Sequence, residues 1–532
     1  MTGPSDYPRW GLGWRDEAWA RLQEPLDLLI VGGGITGAGL LLTAASRGLK
    51  SLLVDDGDFA SGSSSRSGKL VHGGMRYLRQ GKVGLTRALL LERDRLLAEL
   101  PGLVEPLEFI LPTFGDNVPD RLRYGLAVRL YDVLRGRGRT WHRYSPEEVE
   151  ARIPGVRRGA LDGGYGYLDA VTDDARLVLR TLREAVGTGG WALNYVQAES
   201  LVREGGRVTG AELVDQVSGR AVTARARVVF NATGARADRL RGNVGAPPRL
   251  RPIRGTHLVF PHEALPLERA MGCRHPANGR YIYFLPWEGV TLVGTTDRDD
   301  SGDGGGEPRA TGPEVDYLME GVSAWLPGAR VGREHLLGAF AGVRPAVATG
   351  NPDPYREGRD SAVWEEEGLV TVISGKLTGF RPVVESALRL AAPRLAPQGK
   401  RVVPASPGRD EETDALAHLA FPIRRRLLGR YGPDAPHLVA ASRDGDMERV
   451  GGTAVLWSEV RWGARAEGVV HLDDLLLRRA RLGLLLPEGG VEVLPRVRSL
   501  CQEELGWGAE RWAIEEARYR LIWAQSCSVP GR

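Results

Sequence analysis

Cysteine is scarce in this sequence, because 532 residues contain only Cys273, Cys501 and Cys527, and none of them lies in a CxxC pair. Such wide spacing excludes a disulfide framework and a structural zinc site, and it is typical of proteins from a reducing cytosol. The first residues, Met1-Thr2-Gly3-Pro4, lack the basic and apolar regions of a signal peptide. We therefore expect no signal peptide and a cytoplasmic location.

The sequence also lacks a strong excess of one charge sign, since 71 Lys and Arg residues face 67 Asp and Glu residues. No basic block stands apart from acidic residues, so we predict no nucleic-acid partner. The acidic loop 297–307 does not fit a calcium loop, because Pro308 stands at the twelfth position where a bidentate Glu is needed. We predict no metal site.

Long apolar runs are rare, and the one uncharged stretch of nineteen residues, 28–46, is about as long as a membrane helix. Glycines interrupt it between a predicted buried strand, Leu26 to Val31, and a predicted helix, Gly37 to Arg47. These glycines form the dinucleotide-binding pattern GxGxxG with Gly32, Gly34 and Gly37. The first permits a tight turn, the second lets the backbone approach a pyrophosphate, and the third lets helix and strand pack closely.

An acidic residue follows at the distance that ribose binding requires. A second predicted strand, 51–54, ends at Asp55, which lies 23 residues after Gly32. In dinucleotide-binding folds an acidic residue about 20 residues on binds the ribose hydroxyls. The alternative is that Asp55 only caps the strand.

The choice between NAD and FAD depends on a later segment. An apolar strand, Arg227 to Phe230, leads into Asn231-Ala232-Thr233-Gly234-Ala235. This end resembles the strand of glutathione-reductase-type flavoproteins that returns to the FAD-binding sheet through an Ala-Thr-Gly turn. The resemblance favours FAD and adds Thr233 and Gly234 to the predicted cofactor site.

A donor-rich loop, Ser61 to Leu78, carries the sequence SGSSSRSGKLVHGGMRYL. Its cations include Lys69 and Arg76, and His72 stands four residues before Arg76, so the two would share one face of a helix. This combination favours an anionic substrate or a flavin phosphate. A solvated basic turn is the alternative.

The loop and five later segments resemble the FAD-dependent, aerobic and quinone-linked glycerol-3-phosphate dehydrogenase family. The most specific match is SSRSGKLVHGGMRYL. The others are GYGYLDAVTDDARLVL (164–179), RPIRGTHLVF (251–260), YFLPWEGVTLVGTTD (283–297), AGVRP (341–345) and ISGKLTGFR (373–381). The chain departs from the family pattern at Leu41 and Thr43, and at Ser374 and Phe380.

The resemblance implies oxidation of sn-glycerol 3-phosphate to dihydroxyacetone phosphate, with hydride transfer from C2 to N5 of non-covalent FAD and a membrane quinone as electron acceptor. The alternatives are a glycerol-3-phosphate oxidase that uses oxygen and a related flavin amine or hydroxy-acid oxidase. A flavin-binding redox-sensing or docking protein is the non-enzymatic alternative. Whether the protein forms a homodimer stays open.

The resemblance also carries over the site residues. His72 or His257 would handle the proton, beside Arg76, Arg344 and Lys376. The expected substrate ligands are Arg76, Tyr77, Arg344, Lys376 and Thr378. Besides Gly32, Gly34, Gly37, Asp55, Thr233 and Gly234, the expected FAD contacts are Ser65, Ser67, Lys69, Leu70, Gly73, Gly74, Gly375, Lys376, Leu377 and Thr378.

The expected architecture is an α/β fold in which a discontinuous Rossmann-like FAD-binding domain alternates with an antiparallel-sheet substrate domain. The FAD-binding segments are about 25–80, 160–240 and 340–400 within the region 1–407. A helical C-terminal domain, 408–532, follows a linker rich in Pro and Gly. A basic amphipathic helix, Arg121 to Arg139, can lie on the inner face of the cell membrane or simply cover the substrate domain.

Overall fold

The computed structural model describes residues 10–11, 13–115, 118–136, 138–300, 307–358, 360–395 and 414–531. Two large sheets and a helical C-terminal part make up this region. The expected α/β architecture with separate FAD-binding and antiparallel regions is confirmed.

The first sheet has eight strands, and its centre is parallel. In order across the sheet, six strands are Ala362–Glu366, Leu369–Ile373, Ala221–Asn231, Leu26–Val31, Ser51–Val54 and Trp191–Leu193. The other two form a hairpin, Val196–Glu204 and Arg207–Asp215, and the second of them pairs with the first residues of Ala221–Asn231. Strand Leu26–Val31 lies between Ser51–Val54 and Ala221–Asn231, which is why its residues are apolar except for the partly buried Asp27 near its start. The sheet is therefore assembled from segments far apart in the sequence.

Three helices cover one face of this sheet: Ile35–Ala45, Asp174–Gly187 and Phe380–Ala391. The first begins at Ile35, two residues before the predicted start at Gly37, with extended Gly34 as its N-cap. The turn is thus shorter than predicted. As a result, the amino end of the helix lies directly at the edge of the sheet.

The second sheet has ten strands and supplies the antiparallel region. Its main path runs through Arg298–Asp299, Leu250–Pro261, Val290–Gly294, Tyr281–Trp287, Ala270–Arg274, Val104–Phe114, Leu161–Thr172 and Leu70–Val71, while Gly338–Val347 pairs with Leu250–Pro261 and His142–Tyr144 with Leu161–Thr172. Among the described strands of this second sheet, only Ala270–Arg274 and Val104–Phe114 pair in parallel.

The remaining helices of the first 395 residues lie around the two sheets. They are Trp14–Arg21, Met75–Arg79, Val83–Glu99, Val118–Arg135, Pro146–Arg152, Ala237–Gly242 and Gly312–Trp325. Helix Val118–Arg135 agrees with the predicted amphipathic helix. In the described part of the chain, no helix is both long and apolar enough to cross a membrane.

Residues 414–531 are helical and contain no strand longer than an isolated bridge. Their helices are Phe421–Tyr431, Ala435–Ala440, Trp457–Ala466, a π-helix Asp474–Arg479, Leu482–Leu485, Leu494–Leu505 and Ala509–Ser526. The region 467–485 is not one continuous helix, because residues 467–471 are irregular and Arg481 adopts a left-handed conformation with φ of 63°. The predicted linker at Pro404, Pro407 and Gly408 lies outside the described residues.

We expect Gly37→Ala to destabilise the protein strongly. A Cβ atom on Gly37 would lie 1.8 Å from the carbonyl oxygen of Gly32, so helix and strand would have to separate, which costs about 2 kcal/mol or more. The thermal unfolding midpoint measures the effect. Gly187→Ala is the control, since its Cβ meets no atom within 4 Å, and equal midpoints for the two variants would contradict the prediction.

Candidate active site

A cavity of about 960 Å³ lies between the two sheets. On one side it is lined where parallel strands of the first sheet end, at Gly32, Asp55, Thr233 and Ser374. On the other side it is lined by side chains of the second sheet, including His257. Carboxyl ends of parallel strands are where α/β folds bind nucleotides, and this volume lies in the upper range of ligand cavities.

The glycine-rich turn borders the cavity with its backbone. Gly32 has φ of 114°, and a Cβ there would lie 2.5 Å from the carbonyl oxygen of Ala232, so the turn packs directly on the returning strand. Ser64 accepts a hydrogen bond from the backbone N–H of Ile35 at 3.1 Å. Gly34, Ile35 and Thr36 line the cavity, so the positive end of the helix dipole faces it.

Asp55 connects this turn to the next strand. Its carboxylate accepts hydrogen bonds from the backbone N–H groups of Gly33 at 2.5 Å and Gly57 at 2.8 Å. Burial and the neighbouring charge of Asp56 raise the pKa of Asp55 to about 7. Asp55 therefore fixes the turn and also lines the cavity; ribose binding stays a prediction.

The two most specific sequence motifs meet at the cavity. The hydroxyl of Thr378 accepts a hydrogen bond from the backbone N–H of His72 at 2.9 Å. The ammonium of Lys376 lies 3.3 Å from the ring centroid of Tyr77, and a Cβ on Gly74 would lie 2.9 Å from it. Gly375, Lys376, Leu377 and Thr378 form a loop between strand Leu369–Ile373 and the helix that begins at Phe380, and they line the cavity.

Arg76 and Arg344 line the same cavity from different elements. The guanidinium of Arg76 lies 4.0 Å from the ring centroid of Tyr355 and donates to its carbonyl oxygen. Arg344, on strand Gly338–Val347, donates to the carboxylate of Asp297 and, at 3.1 Å, to the hydroxyl of Thr295. Arg76, Arg344 and Lys376, which come from three separate motifs, thus line one cavity, and their contact with a ligand stays a prediction.

His257 and His72 differ in their surroundings. His257 is 5% exposed, stacks on Phe340 with ring centroids 5.0 Å apart, and has no hydrogen-bond partner at Nδ1 among the described residues. Burial, followed by the positive charges of Arg344 and Lys69, lowers the pKa of His257 to about 3. Its imidazole is therefore neutral at pH 7. His72 lines the cavity half-buried.

Lys69 and Ser65 lie beneath the cavity loop, whereas Ser67 lines the cavity. The ammonium of Lys69 is fully buried and donates to the carbonyl oxygen of Ser65 at 2.6 Å and to the carboxylate of Asp174 at 2.8 Å. Ser67 donates to the same carboxylate at 2.7 Å. Burial and the charge of Arg481 lower the pKa of Lys69 to about 8. The side chain of Lys69 therefore does not face the cavity.

The other predicted FAD contacts also divide into residues that line the cavity and residues that lie behind its wall. Leu70, Gly74, Thr233 and Gly234 line the cavity. Gly73 lies behind the wall, where a Cβ would meet the side chain of Leu90 at 2.5 Å. Gly37 serves the packing of the turn described above. These glycines permit close approach of the backbone, but only some of them can contact a ligand.

Sequence reasoning missed several cavity residues. Ser64 and Tyr355 both line the cavity, and Asp297 binds Arg344 there. Ser64 belongs to the serine run that the motif already contains, so its position could have indicated a contact with the following helix. Tyr355 lies outside every matched motif, and no signal pointed to it.

Comparison with known proteins identifies the family. The FAD dependent oxidoreductase family matches residues 27–380, and the C-terminal domain of alpha-glycerophosphate oxidase matches residues 409–512. Glycerol-3-phosphate dehydrogenase 2 of Mycobacterium tuberculosis is 34% identical, covering 98% of this chain and 93% of that protein. The aerobic glycerol-3-phosphate dehydrogenase of Bacillus subtilis is 35% identical, covering 70% of this chain and 68% of that protein.

Solved structures support the same relationship. The glycerol-3-phosphate dehydrogenase of Bacillus halodurans, solved in complex with FAD, superposes with a TM-score of 0.76 at 26% identity, covering 97% of this chain and 98% of that one. L-alpha-glycerophosphate oxidase of Mycoplasma pneumoniae has the same fold, with a TM-score of 0.56 at 17% identity over 71% of this chain and 97% of that one. From the matched families and the relatives that span almost its whole length, we conclude that the chain is an enzyme of the FAD-dependent oxidoreductase family to which the glycerol-3-phosphate dehydrogenases belong.

Proposed function

We propose that the protein oxidises sn-glycerol 3-phosphate to dihydroxyacetone phosphate with non-covalently bound FAD. The observation that carries this proposal is the convergence of Arg76, Arg344 and Lys376 on one cavity that also holds a dinucleotide-binding turn. Arginine and lysine side chains bind phosphate groups through charge-assisted hydrogen bonds. A phosphate ester supplies such a group, and the related dehydrogenases carry this substrate in their names.

The residues of the cavity fit FAD. The amino end of helix Ile35–Ala45 lines the cavity and can receive a pyrophosphate, and Asp55 stands at the end of the next strand, where a ribose would lie. Thr233 and the loop 374–378 border the remaining space. When bound, FAD supplies a two-electron acceptor, N5 of the flavin ring, for the hydride from C2 of the substrate.

The protein's own residues bind the phosphate and accept the hydroxyl proton. Arg344 presents a planar fork that matches a phosphate in two hydrogen bonds. His257 is the better candidate for the base because its imidazole is neutral and Nδ1 has no partner among the described residues. A bound phosphate would offset the charge of Arg344 and so raise the pKa of His257, which favours proton uptake in the substrate complex. His72 is the alternative base.

For the electron acceptor we propose a membrane quinone, reached by peripheral attachment through helix Val118–Arg135. This helix buries Tyr124, Val128 and Tyr131 against the protein and leaves Leu122, Leu126 and Val133 67%, 68% and 73% exposed. Its exposed leucines are four residues apart and so form one stripe. Arg121 and Arg123 flank the stripe, which suits an anionic lipid surface. Oxygen is the alternative acceptor.

We expect anaerobic glycerol 3-phosphate to bleach the flavin absorbance, whereas glycerol and glycine at equal concentration should leave it oxidised. A neutral polyol carries no negative charge for the cavity cations to bind, so discrimination should be at least about 100-fold in rate. Stopped-flow absorbance measures these rates. Inorganic phosphate should compete with the substrate. Equal bleaching by glycerol or glycine would refute the substrate assignment, and the absence of bleaching by all three would favour a non-enzymatic flavoprotein.

We expect Arg344→Lys to lower kcat/KM for glycerol 3-phosphate by about 10- to 100-fold although it keeps the charge. The reason is the loss of one charge-assisted hydrogen bond, worth about 1.5–3 kcal/mol. Competitive inhibition by phosphate should weaken in parallel. Arg333→Lys is the control, since Arg333 forms an exposed pair with Asp316 away from the cavity. A variant with unchanged kcat/KM would remove Arg344 from the phosphate site.

We expect the double variant Leu122→Ser/Leu126→Ser to bind anionic phospholipid vesicles more weakly and to transfer electrons more slowly to quinone held in them. Replacing two leucines that would be buried in the membrane costs about 3 kcal/mol or more of membrane affinity. Vesicle sedimentation and quinone absorbance measure the two effects, with ferricyanide reduction unchanged. The control is Ile514→Ser/Leu521→Ser, which changes two leucine-sized residues exposed on helix Ala509–Ser526. Stoichiometric peroxide with no quinone reduction would instead identify an oxidase.

A further inference from the structure

A buried aspartate beneath the cavity receives two arginines from the C-terminal part. Asp58 is 1% exposed and lies three residues after Asp55. Arg478 and Arg479 both donate to its Oδ2 atom, and Arg479 donates to Oδ1 at 2.8 Å. The amide of Asn194 completes the set at 3.0 Å. This carboxylate is not part of the catalytic site, yet several strong donors hold it.

The residues after Asp58 contact the glycine-rich turn directly. A Cβ on Gly33 would lie 2.9 Å from Cδ1 of Phe59, so this ring packs against the turn. The backbone N–H of Ala60 donates to the carbonyl oxygen of Gly33 at 3.1 Å. Because Asp55 binds the N–H of the same glycine, both polar groups of the Gly33 backbone depend on the segment 55–60.

The far end of the loop is held by the same C-terminal segment. Arg481 donates to the carbonyl oxygen of Ser65 at 2.8 Å and to the carboxylate of Asp174 at 3.1 Å. Residues 61–64, which line the cavity, lie between the anchor at Asp58 and the anchor at Ser65. The arginines therefore reach both ends of one cavity wall from a π-helix, Asp474–Arg479, and the residues just after it.

We propose that Arg479, with Arg478 and Arg481, positions the FAD-binding loop, so that the C-terminal part controls how tightly FAD is retained. Removing Arg479 leaves the buried Asp58 carboxylate with fewer donors, which favours an open loop. The opened segment carries Ala60 away from Gly33 and so releases the pyrophosphate turn. The proposal concerns cofactor retention and holds whichever substrate the enzyme uses.

The test measures FAD release from the purified holoenzyme as the rise of flavin fluorescence after dilution. Arg479→Gln should release FAD about 10-fold faster or more, since a buried hydrogen bond between charged groups is lost. Arg479→Lys, which restores one charged donor, should fall between this variant and wild type. Asp58→Asn should release FAD faster too, and the double variant Asp58→Asn/Arg479→Gln should add little, because both changes remove the same contact.

The control is Arg426→Gln. Arg426 is partly buried in the C-terminal part and pairs at 2.7 Å with Glu288, in the turn after strand Tyr281–Trp287, and at 3.0 Å with Glu459, both of which lie outside the loop. It should lower the thermal unfolding midpoint without changing FAD release. Wild-type release from Arg479→Gln, or equal acceleration by Arg426→Gln, would overturn the proposal. If Arg479→Gln yields no folded holoenzyme, wild-type release from Arg479→Lys overturns it instead.

Discussion

The carboxylate of Asp174 holds together the three parts of the molecule that meet beneath the cavity. It begins the helix Asp174–Gly187 of the first sheet and binds the ammonium of Lys69, the hydroxyl of Ser67 and the guanidinium of Arg481. A fully buried carboxylate is stable only when it is paired in this way, and removing one partner costs several kcal/mol. The cavity wall, the FAD-binding sheet and the C-terminal helices therefore depend on one another through this charge.

The cations that face the cavity are held differently from those beneath it. Lys69 and Arg479 are fully buried and bind carboxylates of the protein, so their charges are already balanced. Arg76 lies against the ring of Tyr355 and donates to its carbonyl oxygen, and Arg344 donates to the carboxylate of Asp297 and to two neutral oxygens. Both arginines line the cavity, where an anionic ligand can contact them. Basic side chains therefore stabilise the wall beneath the cavity and also line the cavity itself.

Most of the site residues predicted from the sequence line the cavity, but the sequence did not predict the direction of each side chain. Gly32 and the strand before it were predictable because a tight turn and a buried parallel strand leave local signatures. The inward direction of the Lys69 side chain was not predictable, because its partner Asp174 lies 105 residues later. Arg481, which binds the same carboxylate, lies another 307 residues after Asp174. Tyr355 was missed for a similar reason, since its position against Arg76 depends on a contact across 279 residues. Long-range charge pairing leaves no periodic signal.

The order of strands in the first sheet has a consequence for synthesis of the protein. Strand Leu26–Val31 leaves the ribosome early, but its neighbour Ala221–Asn231 follows about two hundred residues later, and Leu369–Ile373 later still. Until then the apolar edge of the nascent sheet has no partner and can pair with other chains. The residues that hold Asp58, at one end of the cavity loop, are Arg478 and Arg479, and they are synthesised later still. The walls of the cofactor cavity can therefore all be in place only after the C-terminal part of the chain has been synthesised.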